Sequence, residues 1–168
     1  MEVACKLRAC LKPAKEYAVV REWKAQYADM LHRYKFLVVQ GPSQTGKTEF
    51  CRVQCPAGRT LEINCAAAEE PMLRDYDSQL HDMIIFDEAS PKMVVRQRKL
   101  FQAQHARVDL ALSSTSCHSY SVWLYRKMLC ICTNRWHDDQ QELSHMDRDW
   151  LEKNCFLLEV TEPMFIDT

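Results

Sequence analysis

Hydrophobic positions along this chain fall into short continuous runs separated by polar turns, with one longer stretch of helical spacing at the start. Tyr17, Val20, Trp23, Tyr27, Met30 and Leu31 recur at intervals of three or four, which predicts a helical segment over residues 1–33 with an apolar face turned to a core. Pro13 suits the first turn of such a helix. Residues 35–40 form a continuous apolar run, the signature of a strand covered on both faces in a parallel sheet. Further strands are predicted at Arg59–Asn64, Asp82–Glu88, Lys127–Asn134 and Cys155–Val160. Val108–Leu112 and Tyr120–Tyr125 alternate and are rich in β-branched and aromatic residues, so they read as a pair of strands around the polar segment Ser113–Ser119. Helices are predicted from Lys47 to about Gln54, within Glu69–Leu80, over Pro91–Gln104, and from an N-cap at Asp147 to Lys153. Strands alternating with helices make the fold class α/β, a central mainly parallel sheet flanked by helices. The organisation expected is an N-terminal helical segment (1–33), one main domain (34–162) and a short tail (163–168).

The first strand runs into Gly41-Pro42-Ser43-Gln44-Thr45-Gly46-Lys47-Thr48, which fits the phosphate-binding pattern G-x-x-x-x-G-K-[ST] in its expected place between strand and helix. Gly41 and Gly46 let the backbone bend and approach phosphate without a Cβ in the way. The chain has only three glycines, and two of them are here. The N–H groups of the loop face a polyanion, Lys47 reaches its β- and γ-phosphates, and the Thr48 hydroxyl is placed to ligate Mg²⁺. The cofactors implied are ATP and Mg²⁺.

Two other predicted strands end in chemistry. Met83-Ile84-Ile85-Phe86 closes on Asp87-Glu88, forty residues after Lys47. On a strand beside the loop strand, Asp87 is expected to hold the metal and Glu88 to act as general base toward an attacking water. Leu129-Cys130-Ile131-Cys132 closes on Thr133-Asn134, and the Asn134 amide is expected to bond both the γ-phosphate and that water. Lys47, Asp87, Glu88 and Asn134 are therefore the candidate catalytic residues, with Thr48 and Asp87 as metal ligands. Lys92, Arg96, Arg98 and Lys99, interleaved with apolar residues, give the Pro91–Gln104 helix a basic face.

Composition narrows the setting. Hydrophobic residues make up 47% and charged residues 27%, a globular balance. The net charge of −1 gives no general attraction to nucleic acid, so DNA binding has to arise locally or through assembly. No apolar run approaches the roughly eighteen residues a membrane span needs, and the first residues lack a signal-like segment. Nine cysteines, an odd number with no C-x-x-C pair, argue against a disulfide framework and a structural zinc site. They read as small buried hydrophobes in a reducing compartment, nuclear or cytoplasmic. Cys117-His118 has no neighbouring partner pair and is not taken as a nucleophile or a zinc site.

Taken together, Gly41–Thr48, Phe86-Asp87-Glu88-Ala89-Ser90-Pro91 and Leu129–Asn134 resemble the superfamily 3 helicase domain of replication-initiator (Rep) proteins of circular single-stranded DNA viruses and related elements. The resemblance covers roughly residues 34–160, with Lys99–Ala103 and the paired strands in the region of the family's DNA-facing hairpin. It implies an AAA+-like P-loop ATPase that assembles as a homo-oligomeric ring, moves along single-stranded DNA in replication, and receives an arginine from a neighbouring subunit. Arg135 and Arg148 are the candidates for that arginine. Two departures stand out. The family's nuclease motif, His-hydrophobe-His with a nucleophilic tyrosine, is not visible in residues 1–33, so nicking and joining are not expected of this chain. The hairpin tip reads Ser116-Cys117-His118-Ser119-Tyr120, without the lysine the family often presents there. A P-loop small-molecule kinase, or a non-catalytic relic that only binds nucleotide, are the alternatives.

Overall fold

A computed structural model describes residues 13–111 and 119–166. Strands β1 (Phe36–Gln40), β2 (Thr60–Asn64), β3 (Met83–Asp87), β6 (Met128–Thr133) and β7 (Cys155–Glu159) form one sheet. Their order is β2-β3-β6-β1-β7, and all neighbours run parallel. The α/β class is therefore as read from the sequence. Strands β4 (Val108–Ala111) and β5 (Ser119–Val122) pair antiparallel in a separate ribbon, and residues 112–118 of its expected tip lie outside the described residues.

Period-two alternation divides the core between the two faces of the sheet. On one face Phe36, Val38, Ile84, Phe86, Leu129 and Ile131 meet Phe101, Trp136 and Leu151. On the other, Leu37, Val39, Met83, Ile85, Cys130 and Cys132 meet Trp23, Phe50 and Cys51. Burying side chains of this size stabilises by about 1.5–3 kcal/mol each. Helix α1 (Ala18–Ala25) supplies Val20 and Trp23 to the second face, and helix α2 (Lys47–Arg52) supplies Phe50 and Cys51.

Several elements depart from the sequence reading. Among the described residues, the predicted N-terminal helical segment holds α1 and a 3₁₀ turn at Gln26–Ala28, and its residues 1–12 lie outside the described residues. Side chains beyond the turn take over backbone groups that a continuing helix would use. Gln26 bonds both the N–H and the C=O of Lys35, at 2.8 and 2.7 Å. Tyr34 Oη accepts from Leu31 N and donates to Asp29 O. Met30, 76% exposed, is consequently no part of the apolar face.

No helix forms within Glu69–Leu80. Asp77 Oδ1 accepts from Gln79 N and His81 Nδ1 accepts from Asp77 N, local bonds that favour turns over a helix. The predicted Pro91–Gln104 helix is two short ones, α3 (Pro91–Arg96) and α4 (Arg98–Phe101), broken at Gln97 with φ −104°, ψ 40°. Helix α5 (His145–Asn154) is capped by Ser144, whose hydroxyl accepts from Asp147 N, so Asp147 sits in the first turn rather than at the cap. The segment after Pro163 packs against the domain: Met164 is fully buried, and Phe165 bridges to Ala14.

Candidate phosphate loop and strand-end site

The site lies at the carboxyl edge of the sheet, where strand register sets the heights of the side chains. Asn64 is level with Asp87, Asp87 with Cys132, and Cys132 with Val39. One residue further on, Gln40 is level with Thr133 and Glu159. The loop after β1, the acids after β3 and Asn134 after β6 therefore leave the sheet at one edge.

One expectation about their order changes. Asp87 was expected on the strand beside the loop strand, but β6 lies between β1 and β3. The strand ending in Thr133-Asn134 is the inner neighbour, and the acid strand stands one place further out. Linear sequence does not carry this information, because strand order is set by crossover connections and packing.

The loop glycines are required for different reasons. A Cβ on Gly41 would stand 2.4 Å from Val160 O and 2.6 Å from Val160 Cγ2, so the need is for close approach. Gly46 has φ 84°, the left-handed region, and a Cβ there would lie 3.2 Å from the Phe165 ring. Gln44, with φ 66°, adopts the same region without being glycine. Pro42, Ser43 and Gln44 are exposed, whereas Thr45 is buried and its hydroxyl donates to Pro42 O at 3.0 Å. Lys47 Nζ donates to Gly41 O at 2.9 Å and to Pro42 O at 2.7 Å. The ammonium is thus held across the mouth of its own loop.

Asp87 is half-buried at the end of β3. Burial raises its carboxyl above the usual range, and Cys132, Glu88 and Glu62 push the same way, while the Lys47 charge opposes them. Glu88 is exposed, and its backbone has φ 59°, a strained conformation for a residue with a side chain. Its N–H donates to Cys132 O at 2.8 Å, which extends the β3–β6 ladder by one bond and holds Glu88 at the sheet edge. Asn134 is exposed just past Thr133, itself buried, whose hydroxyl accepts from Arg135 N. Arg135 pairs with Asp139 at 3.2 Å, and Arg148 is exposed on α5.

Gln40 has a part that the sequence reading missed. Its side-chain oxygen accepts from Trp136 N at 2.6 Å, and its amide nitrogen donates to Asn134 O at 3.5 Å. A lone polar residue closing an apolar strand was the available signal. The hold of the C-terminal segment on the loop was also missed. Met164 N donates to Thr45 O at 3.0 Å, and Lys15 N to Met164 O at 2.8 Å.

The strand pair is fastened to the 65–82 region. Tyr120 Oη accepts from Leu73 N at 2.8 Å, Tyr76 Oη donates to Trp123 O at 2.8 Å, and Ala111 N donates to Glu70 Oε1 at 3.3 Å. Of the basic residues on α3 and α4, Arg98 is engaged by Asp147 and by the Trp150 ring, leaving Lys92, Arg96 and Lys99 on the outer face.

No family model matches the sequence, and no curated protein matches it.

Proposed function

We propose that this chain binds and hydrolyses ATP with Mg²⁺ and is the motor domain of a Rep-like superfamily 3 helicase, working as a ring on single-stranded DNA. The observation that carries the reading is the convergence of the loop, Asp87-Glu88 and Asn134 at one sheet edge, with the Asn134 strand between the other two. Gly41 is held too close to Val160 for any side chain, and Lys47 Nζ rests on carbonyls that it can exchange for phosphate oxygens.

In this reading each residue has a distinct task. Lys47 neutralises the β- and γ-phosphates. Thr48 and Asp87 would hold the metal, which would supply Lewis-acid polarisation. Glu88 accepts a proton from the attacking water, and its strained backbone points to a site where conformation is fixed for function. Asn134 orients that water against the γ-phosphate, and Gln40 fixes the turn that presents Asn134. Arg135 or Arg148 from a neighbouring subunit completes the charge stabilisation. Lys92, Arg96 and Lys99, with the β4–β5 ribbon, supply the surface for phosphates of the strand.

The test is the ATPase rate with and without single-stranded DNA at low salt, measured alongside the native mass. Low salt is needed because phosphate contacts weaken steeply with ionic strength. Stimulation by DNA together with a multimeric mass is the expected result. Turnover with neither DNA binding nor assembly removes the helicase part of the proposal. Lys47→Ala should weaken nucleotide binding by about 10- to 100-fold, the scale of a lost charge-assisted hydrogen bond. Full activity in that variant overturns the loop assignment.

A further inference from the structure

Beneath the phosphate loop, three cysteines from two elements converge. Cys51 lies on α2, one turn after Thr48, and Cys130 and Cys132 lie two apart on β6, which turns both to the same face of the sheet. All three are buried, and their sulfur atoms lie within 4.8 Å of one another. Cys51 Sγ is 2.6 Å from Cys130 Sγ and 3.5 Å from Cys132 Sγ. Leu37, Val39, Phe50 and Ile85 pack around them, and the Thr48 hydroxyl lies beside Cys132.

The structure assigns Cys51, Cys130 and Cys132, we propose, as a three-coordinate thiolate site for a single Cu(I) ion. The donor set selects the ion. Hard cations such as Mg²⁺ and Ca²⁺ need oxygen ligands, which this cluster does not offer. A structural Zn²⁺ site needs four ligands in a tetrahedron, and no fourth Cys, His, Asp or Glu joins the three among the described residues. Soft thiolates in a dry pocket favour Cu(I), which is satisfied by low coordination numbers. A metal–sulfur distance of about 2.3 Å in a trigonal site requires sulfurs about 4 Å apart, so Cys51 and Cys130, now 2.6 Å apart, would separate by roughly 1.4 Å on loading. Binding releases thiol protons to solvent, with no change in oxidation state. A bound ion would tie α2, which carries Thr48, to the strand that ends in Asn134.

The test is anaerobic titration of the full chain with Cu(I), in competition with a chromogenic Cu(I) chelator, with X-ray absorption on the one-equivalent species. One tightly held ion per chain with three sulfur ligands is expected. Cys51→Ala, Cys130→Ala and Cys132→Ala should each weaken it by about 100-fold or more, beyond the loss typical of an outer-shell partner. Cys65→Ala and Cys155→Ala, which alter buried or half-buried cysteines elsewhere in the fold, should leave it unchanged. Should the cluster variants fail to fold, the ligand count on the unaltered chain still decides. Two sulfur ligands, no competition with the chelator, or equal sensitivity to Cys65→Ala would overturn the site.

Discussion

At the scale of single residues, Asp87 at the end of β3 and Glu88 just after it are set apart by their surroundings. Glu88 is exposed on a left-handed backbone, whereas Asp87 is half-buried and held above its ordinary pKa. Glu88→Gln keeps the size and backbone preference of the side chain but removes the proton acceptor. ATP turnover should fall by about 10²- to 10⁴-fold, with nucleotide affinity within a few-fold of the parent by equilibrium binding. Asp87→Asn should act on stability as well as on turnover. Because folding raises the Asp87 pKa, the native state binds its proton more readily than the unfolded chain does. The cost of that charge is absent below the unfolded pKa, grows as pH rises, and is complete above the folded one. Without added Mg²⁺, Asp87→Asn should therefore melt above the parent at neutral pH, and the gap should close on acidification. Thermal unfolding at a series of pH values checks this. The same residue should lose metal-dependent turnover, so stability and activity move in opposite directions.

At the scale of elements, what was legible in the sequence followed the strength of local signals. Four of the sheet strands were found because each is a dense apolar run bounded by polar residues, β2 through the alternation of Leu61 and Ile63 with polar neighbours, and Gly41–Thr48 because its spacing has few other uses. The helix boundaries were less visible. Gln97 breaks a helix without being glycine or proline, and Gln26 and Tyr34 end another by capturing backbone groups from outside it. The position of β6 between β1 and β3 had no local trace at all. The cysteine cluster was half legible. The i, i+2 spacing of Cys130 and Cys132 was plain, but Cys51 joins them only through the packing of α2 on the sheet. Caps give a direct energetic check at this scale. Ser90 precedes α3, its hydroxyl accepts from Met93 N at 3.1 Å, and Pro91 follows at the first helical position. Ser90→Ala should cost about 1 kcal/mol. For a domain of this size that lowers the melting midpoint by about 2–4 °C in calorimetry.

At the scale of the whole molecule, the Gly41–Thr48 loop is held from both ends of the described chain. Val160 closes over Gly41, Met164 N donates to Thr45 O, and residues 13–15 lace onto 164–166 through Lys15 N to Met164 O and Ile166 N to Pro13 O. Each such backbone bond contributes about 1 kcal/mol net. Removing residues 161–168 takes away three of them together with the buried Met164 side chain. Nucleotide affinity should drop by about 100-fold or more while Lys47 and Thr48 remain in place, a loss measurable by fluorescence titration with a labelled nucleotide. The long sequence separation of these contacts also fixes the order of events at the ribosome. The loop emerges early, yet the residues that shape it come more than a hundred positions later. A nascent chain carrying the complete Gly41–Thr48 segment would still lack the shaped loop until β7 and the segment after it had cleared the exit tunnel.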